Sequence, residues 1–120
     1  MVVACAWALM GHTPVSKNPC AGANTQLDMN ICSHEQYQKA DKRLNMLYKK
    51  IQAMQSQKAH RLRFQKAQLA WLKFRDLQCE HRAMVYEGGS IMPLIRNGCL
   101  ERLTVDRNAY FEMLLKTMPQ

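Results

Sequence analysis

The sequence predicts an all-α protein, an antiparallel stack of three long helices stapled by two disulfides. Three observations carry that expectation. Helix formers dominate, with plentiful Leu, Ala, Gln, Lys and Arg and nine Met, while β-branched residues are sparse. Apolar residues recur at three- and four-residue steps over three long stretches. Five Gly and four Pro in 120 residues are too few for the turns of a β-sandwich. The length favours one domain, since a single core typically spans roughly 100–200 residues. A hydrophobic content of 48% excludes a disordered tail.

The chain opens with an unbroken apolar run, Val2–Met10, followed by Gly11, His12, Thr13 and Pro14. Such a run resembles the h-region of a signal peptide, although no Lys or Arg precedes Lys17. The alternative is an N-terminal strand or helix packed on the domain. Val2-Val3-Ala4-Cys5 also has the form of a lipobox, but nothing apolar precedes it and the sequence after Cys5 stays apolar. Residues 1–16 are therefore expected to be a signal-peptide remnant and 17–120 a single helical domain. The compartment expected is secreted or periplasmic, with lipid anchoring through Cys5 as the alternative. No apolar run reaches about 18 residues, so no transmembrane helix is expected.

The first helix is expected over Thr25–Met54. Thr25 can cap it, with Asp28 three residues on as a variant capping box. Leu27, Ile31, Tyr37, Ala40, Leu44, Leu47, Ile51 and Met54 then follow the helical period. Around residues 55–58 the pattern loses phase without Gly or Pro, a weakly marked break. The second helix, Lys58–Tyr86, carries Leu62, Leu69, Trp71, Leu72, Phe74, Cys79 and Ala83. Gly88-Gly89-Ser90 is the clearest punctuation: Gly suits the left-handed end of one helix and Ser the cap of the next. The third helix, Ile91–Lys116, has Pro93 in its first turn, where the missing N–H costs little. Its apolar positions include Leu94, Ile95, Cys99, Leu103, Tyr110 and Leu114.

Removing the leader leaves Cys20, Cys32, Cys79 and Cys99, an even count that suits two disulfides in an exported domain. Cys79 and Cys99 lie ten residues either side of Gly89, so an antiparallel hairpin brings them together. Cys20–Cys32 would then pin the segment before the first helix. Reflection about the first turn leaves Cys32–Cys79 open as a rival pairing. A zinc site built on Cys32-Ser-His34 and Cys79-Glu-His81 is disfavoured, because residues two apart on a helix point in nearly opposite directions.

These residues resemble a known family. The stretches Thr25…Asn30-Ile-Cys32, Ala40-Asp41…Leu44-Asn45…Tyr48, Gln68-Leu-Ala-Trp71…Arg75-Asp76…Cys79 and Tyr86-Glu-Gly88-Gly89-Ser90…Cys99…Thr104…Arg107 are similar to the lysozyme inhibitor LprI-like family. The resemblance covers roughly residues 20–116. It implies an exported four-cysteine helical domain without catalysis or cofactor. Inhibition of host lysozyme by protein–protein binding is the activity it suggests. It supplies no agreed contact residues.

Reflecting positions about the two turns places Asp41 near Trp71 and Arg75, Asn45 opposite Gln68, and Arg107 near Trp71. The expectation is a polar layer in which Asp41 pairs with Arg75, Asn45 with Gln68, and an arginine rests on Trp71. Such a layer more often fixes helix register than performs chemistry. With the second helix taken as the centre of the stack, Trp71 is expected to fill the core.

Catalysis has little support. No phosphate loop, nucleophile elbow or H-E-x-x-H motif occurs. Asp28, Glu35, Asp41 and Asp76 sit amid Lys, Arg or capping positions that keep carboxylates ionised, the wrong state for a general acid.

Charge is unevenly placed. Residues 39–82 hold twelve Lys/Arg against three Asp/Glu, a net of +9 in a chain whose total is +8. That basic stretch suits phosphate, anionic lipid or acidic glycans. It opposes the approach of a c-type lysozyme, itself strongly basic, so an inhibitor would need an acidic or apolar patch. Glu101, Asp106 and Glu112 on the third helix, or the surroundings of Glu87, are the candidates. The alternative function is a cationic envelope-binding or structural protein that uses residues 39–82 against anionic envelope components. Nucleic acid matches the charge but not an exported compartment.

Overall fold

A computed structural model of the protein describes residues 19–119. The expected leader, and Cys5 with the alternative of lipid anchoring, lie outside the described residues. Three helices form: α1 Gln26–Met54, α2 Lys58–Met84 and α3 Met92–Thr117. Thr25 caps α1, its Oγ1 accepting a hydrogen bond from the Asp28 amide at 3.0 Å.

The first turn is short, and side chains close it in place of Gly or Pro. Arg61 donates from Nη1 to the carbonyls of Gln55 (2.8 Å) and Ser56 (2.9 Å). Gln52 reaches back to the Arg61 carbonyl. The second turn is closed by Gly88, whose φ of +82° lies where only glycine rests without strain. One expectation fails here. Ser90 caps nothing; Ile91 is the N-cap residue of α3 and makes no side-chain cap bond. The Ser90 carbonyl instead accepts from Asn30 Nδ2 of α1 at 3.0 Å, tying the turn to the first helix.

The order of packing also differs from expectation. The centre of the stack is α3, which packs along both α1 and α2, while the backbones of α1 and α2 barely meet. The cause lies in the two surfaces. Exposed Arg63, Lys66 and Lys73 stand on the outer face of α2, and within the stack only its opposite side, with Gln68, Arg75, Cys79 and Ala83, is covered. Along α3, Thr104, Asn108 and Phe111 are buried, and these small or flat side chains admit a close neighbour. Ala40 of α1 meets Asn108, and Ser33 meets Asn97 further along the same seam. The inter-helix bonds Asn97–Ser33, Asn108–Ala40 and Arg43–Glu112 advance in step, so α1 and α3 run parallel.

Stability is divided between the two ends. Near the first turn, Leu44, Leu47, Ile51 and Phe111 form the apolar core, rimmed by Tyr48, Phe64 and Leu114. Tyr48 stacks on Phe64, whose ring leans on Phe111 with centroids 5.4 Å apart. At the other end the cysteines pair as Cys20–Cys32 and Cys79–Cys99, with Cα–Cα distances of 5.7 and 5.5 Å. The rival Cys32–Cys79 pairing does not occur.

Candidate functional site

Between core and disulfides lies the polar layer. Arg75 of α2 is its hub, its side chain only 6% exposed. Nη1 donates to Asp41 Oδ1 of α1 at 3.0 Å and to Thr104 Oγ1 of α3 at 3.3 Å, so one guanidinium joins all three helices. Nε donates to the neighbouring Asp76 at 3.0 Å. The rings of Tyr37 and Trp71 lie 5.3 and 5.4 Å from the same guanidinium carbon. Burial pushes the Arg75 pKa down, but the hydrogen bonds it donates to Asp41 and Asp76 help to outweigh that and raise the value overall. Tyr37 is raised, first by burial, with Arg75 pulling the other way.

A second arginine sits one layer towards the core. Arg107 lies over the rings of Trp71, Tyr110 and Phe111 at 5.3, 5.3 and 4.9 Å. Its Nε donates to Gln68 Oε1 at 3.2 Å, and no carboxylate pairs with it among the described residues. Burial therefore lowers its pKa. This corrects one expected pair, since Gln68 belongs to Arg107 and not to Asn45. Asn45 is exposed. Trp71 is half-buried at the rim of the core, held between two cations, and does not fill the centre.

The sequence reading missed the α1–α3 seam. Asn97 donates to Ser33 Oγ at 3.1 Å and to the Asn30 carbonyl at 3.3 Å, and Asn108 donates to the Ala40 carbonyl at 3.0 Å. A signal was available: Ser33 and Ala40 are seven apart, as are Asn97 and Thr104, the spacing of a close helix seam. Outside this seam runs a groove of about 390 Å³, lined by Gln36, Lys39, Arg43, Glu101, Val105 and Glu112. Asn108 forms its floor, and its Oδ1 is a buried acceptor without a hydrogen bond among the described residues.

The layer spends its polar groups on one another. Both cysteine pairs are oxidised, so neither Cys-x-His set offers a thiolate, and no cluster of three metal-binding side chains occurs among the described residues. The arrangement ties the three helices to one another through hydrogen bonds. Residues 16–110 match the family described as Lysozyme inhibitor LprI. The chain belongs to the LprI lysozyme inhibitor family. That match takes in both disulfides, the Arg75 layer and Arg107. LprI is an inhibitor family, in keeping with polar residues that tie helices together. The chain is also similar to an uncharacterized protein of Rhizobium meliloti (strain 1021), 34% identical over 110 residues that cover 82% of this chain and 79% of that one. No solved structure matches the chain.

Proposed function

We propose that this protein is an exported, non-enzymatic inhibitor of lysozyme that acts by protein–protein binding. The LprI match over residues 16–110 carries the reading. The two disulfides support export, because such bonds persist in oxidising compartments. The docking surface we assign is the α1–α3 groove. There Glu101 and Glu112 offset Lys39 and Arg43, and half-exposed Val105 supplies an apolar contact. The groove is thus neutral on a chain of net +8, the surface where a cationic enzyme is repelled least.

A cell-wall lysis assay with purified, oxidised protein and a c-type lysozyme tests the proposal. Inhibition is expected, and rising salt should preserve or strengthen it by screening the mutual repulsion. Glu101→Lys should weaken inhibition about tenfold with an unchanged melting temperature, the scale of one unfavourable rim charge. Absence of inhibition by oxidised protein would refute the function. Unaltered inhibition by Glu101→Lys would move the contact away from the groove.

A further inference from the structure

The outward face of α2 has no partner within the described structure. Phe74, Leu77 and Met84 are 55%, 54% and 55% exposed. With Ala70 and His81 they recur at steps of four and three, so they form one stripe along the helix. The stripe lies about half a turn from Gln68, Arg75, Cys79 and Ala83, the buried positions of the same helix. Exposed Arg63, Lys66 and Lys73 stand on this outward side, and none of them pairs with a carboxylate among the described residues.

The mixture restricts what can cover it. A face that only meets water gains nothing from Phe, Leu and Met in one row. A second copy of this chain would set the same three cations against themselves, and a cationic lysozyme would do likewise. A free polyanion would neutralise the lysines and leave the apolar stripe wet. An anionic bilayer satisfies both halves: lipid phosphates meet the cations, and the acyl boundary takes the apolar side chains. Lysine stems can lie along the apolar surface while their ammonium groups stay among the headgroups. No helix among the described residues is long and apolar enough to cross a membrane, so α2 would lie in the plane of the interface.

We infer that α2 docks the protein flat on an anionic lipid surface, with Phe74 and Leu77 inserted and Arg63, Lys66 and Lys73 on the headgroups. This goes beyond lysozyme inhibition and leaves the α1–α3 groove free.

Co-sedimentation of the full chain with vesicles tests the inference, so that any contribution of residues 1–18 is common to parent and variants. Equal mixtures of phosphatidylglycerol and phosphatidylcholine are compared with phosphatidylcholine alone. Binding to the anionic vesicles is expected to be at least about tenfold tighter and to fall with salt. Phe74→Ser/Leu77→Ser and Lys66→Glu/Lys73→Glu should each weaken it by about tenfold, with parental melting curves. Met84→Gln gives the same readout at the far end of the stripe should the first pair melt early. Equal binding to both vesicle types would overturn the inference. So would undiminished binding by the serine and glutamine variants, which would mean a purely ionic attachment. A dimer in solution that Phe74→Ser/Leu77→Ser abolishes would assign the face to a second copy instead.

Discussion

Trp71 shows how a side chain can be central to a fold without being its deepest residue. Its indole separates two guanidiniums, those of Arg75 and Arg107. Truncating a fully buried aromatic commonly costs about 3–5 kcal/mol, and half-burial brings the expectation for Trp71→Ala down to about 2–3 kcal/mol. Thermal melting should show that loss, and lysozyme inhibition at a temperature where the variant stays folded should be retained. Tyr37 gives a pH test. Its pKa is raised above 10.0, chiefly by burial, so the folded state prefers the neutral phenol. That contribution is complete below pH 10 and is lost as pH climbs through the raised value. The melting temperature of the parent should therefore fall more steeply above pH 10 than that of Tyr37→Phe. Equal slopes would place the phenol outside the layer.

The helices themselves obey a spacing rule that their sequences display unevenly. Along α1, the buried positions Ser33, Ala40, Leu44, Leu47 and Ile51 keep seven-, four- and three-residue steps. Small residues at its first half let α3 approach closely. Ala40→Leu should force the two backbones apart at a cost of about 1–3 kcal/mol, read in urea denaturation. Cys79 is wholly buried and closes a loop with a sequence separation of 20. Replacing Cys79 and Cys99 together by Ala should remove roughly 3 kcal/mol on the chain-entropy account, and the melting temperature measures it. All three helix spans were legible, because Thr25, Gly88 and Pro93 act locally. The Asp41–Arg75 contact and the Cys79–Cys99 pairing were legible because reflection about a turn needs only counting, whereas Cys20–Cys32 followed only as the remaining pair, with Cys32–Cys79 open as a rival. Which helix lies in the middle was not. That depends on comparing the two sides of α3 with the outer face of α2, and no local motif records it. Ser90 misled for the same reason, since its partner is Asn30, sixty residues away.

At the scale of the molecule, few large apolar side chains are fully enclosed: Leu44, Ile51 and Phe111 are the chief ones. So small a core leans on covalent staples, as short exported domains commonly do. Its charge is divided too, with a cationic α2 on one side and a balanced α1–α3 groove on the other. Without α3 the design fails, because α1 and α2 share too little surface to hold each other. A chain ending at residue 90 should give a circular dichroism spectrum dominated by coil, while the longer chain is helical. Independent helicity in that fragment would show that α1 and α2 form a stable pair alone.

The placement of α3 also sets a clock. The α3 partners of α1 lie 64 to 69 residues further along the chain, at Asn97, Asn108 and Glu112. During synthesis the first two helices emerge with only the Tyr48–Phe64 stack and the Asp41–Arg75 pair to join them, and Phe111 arrives later to complete the core. The polypeptide thus stays pliable until nearly its full length has been made. A protein that must be threaded through a narrow channel before its cysteines meet an oxidant gains from that delay. On the proposed route of export, folding would be completed on the far side, where Cys79 and Cys99 can lock what α3 has assembled.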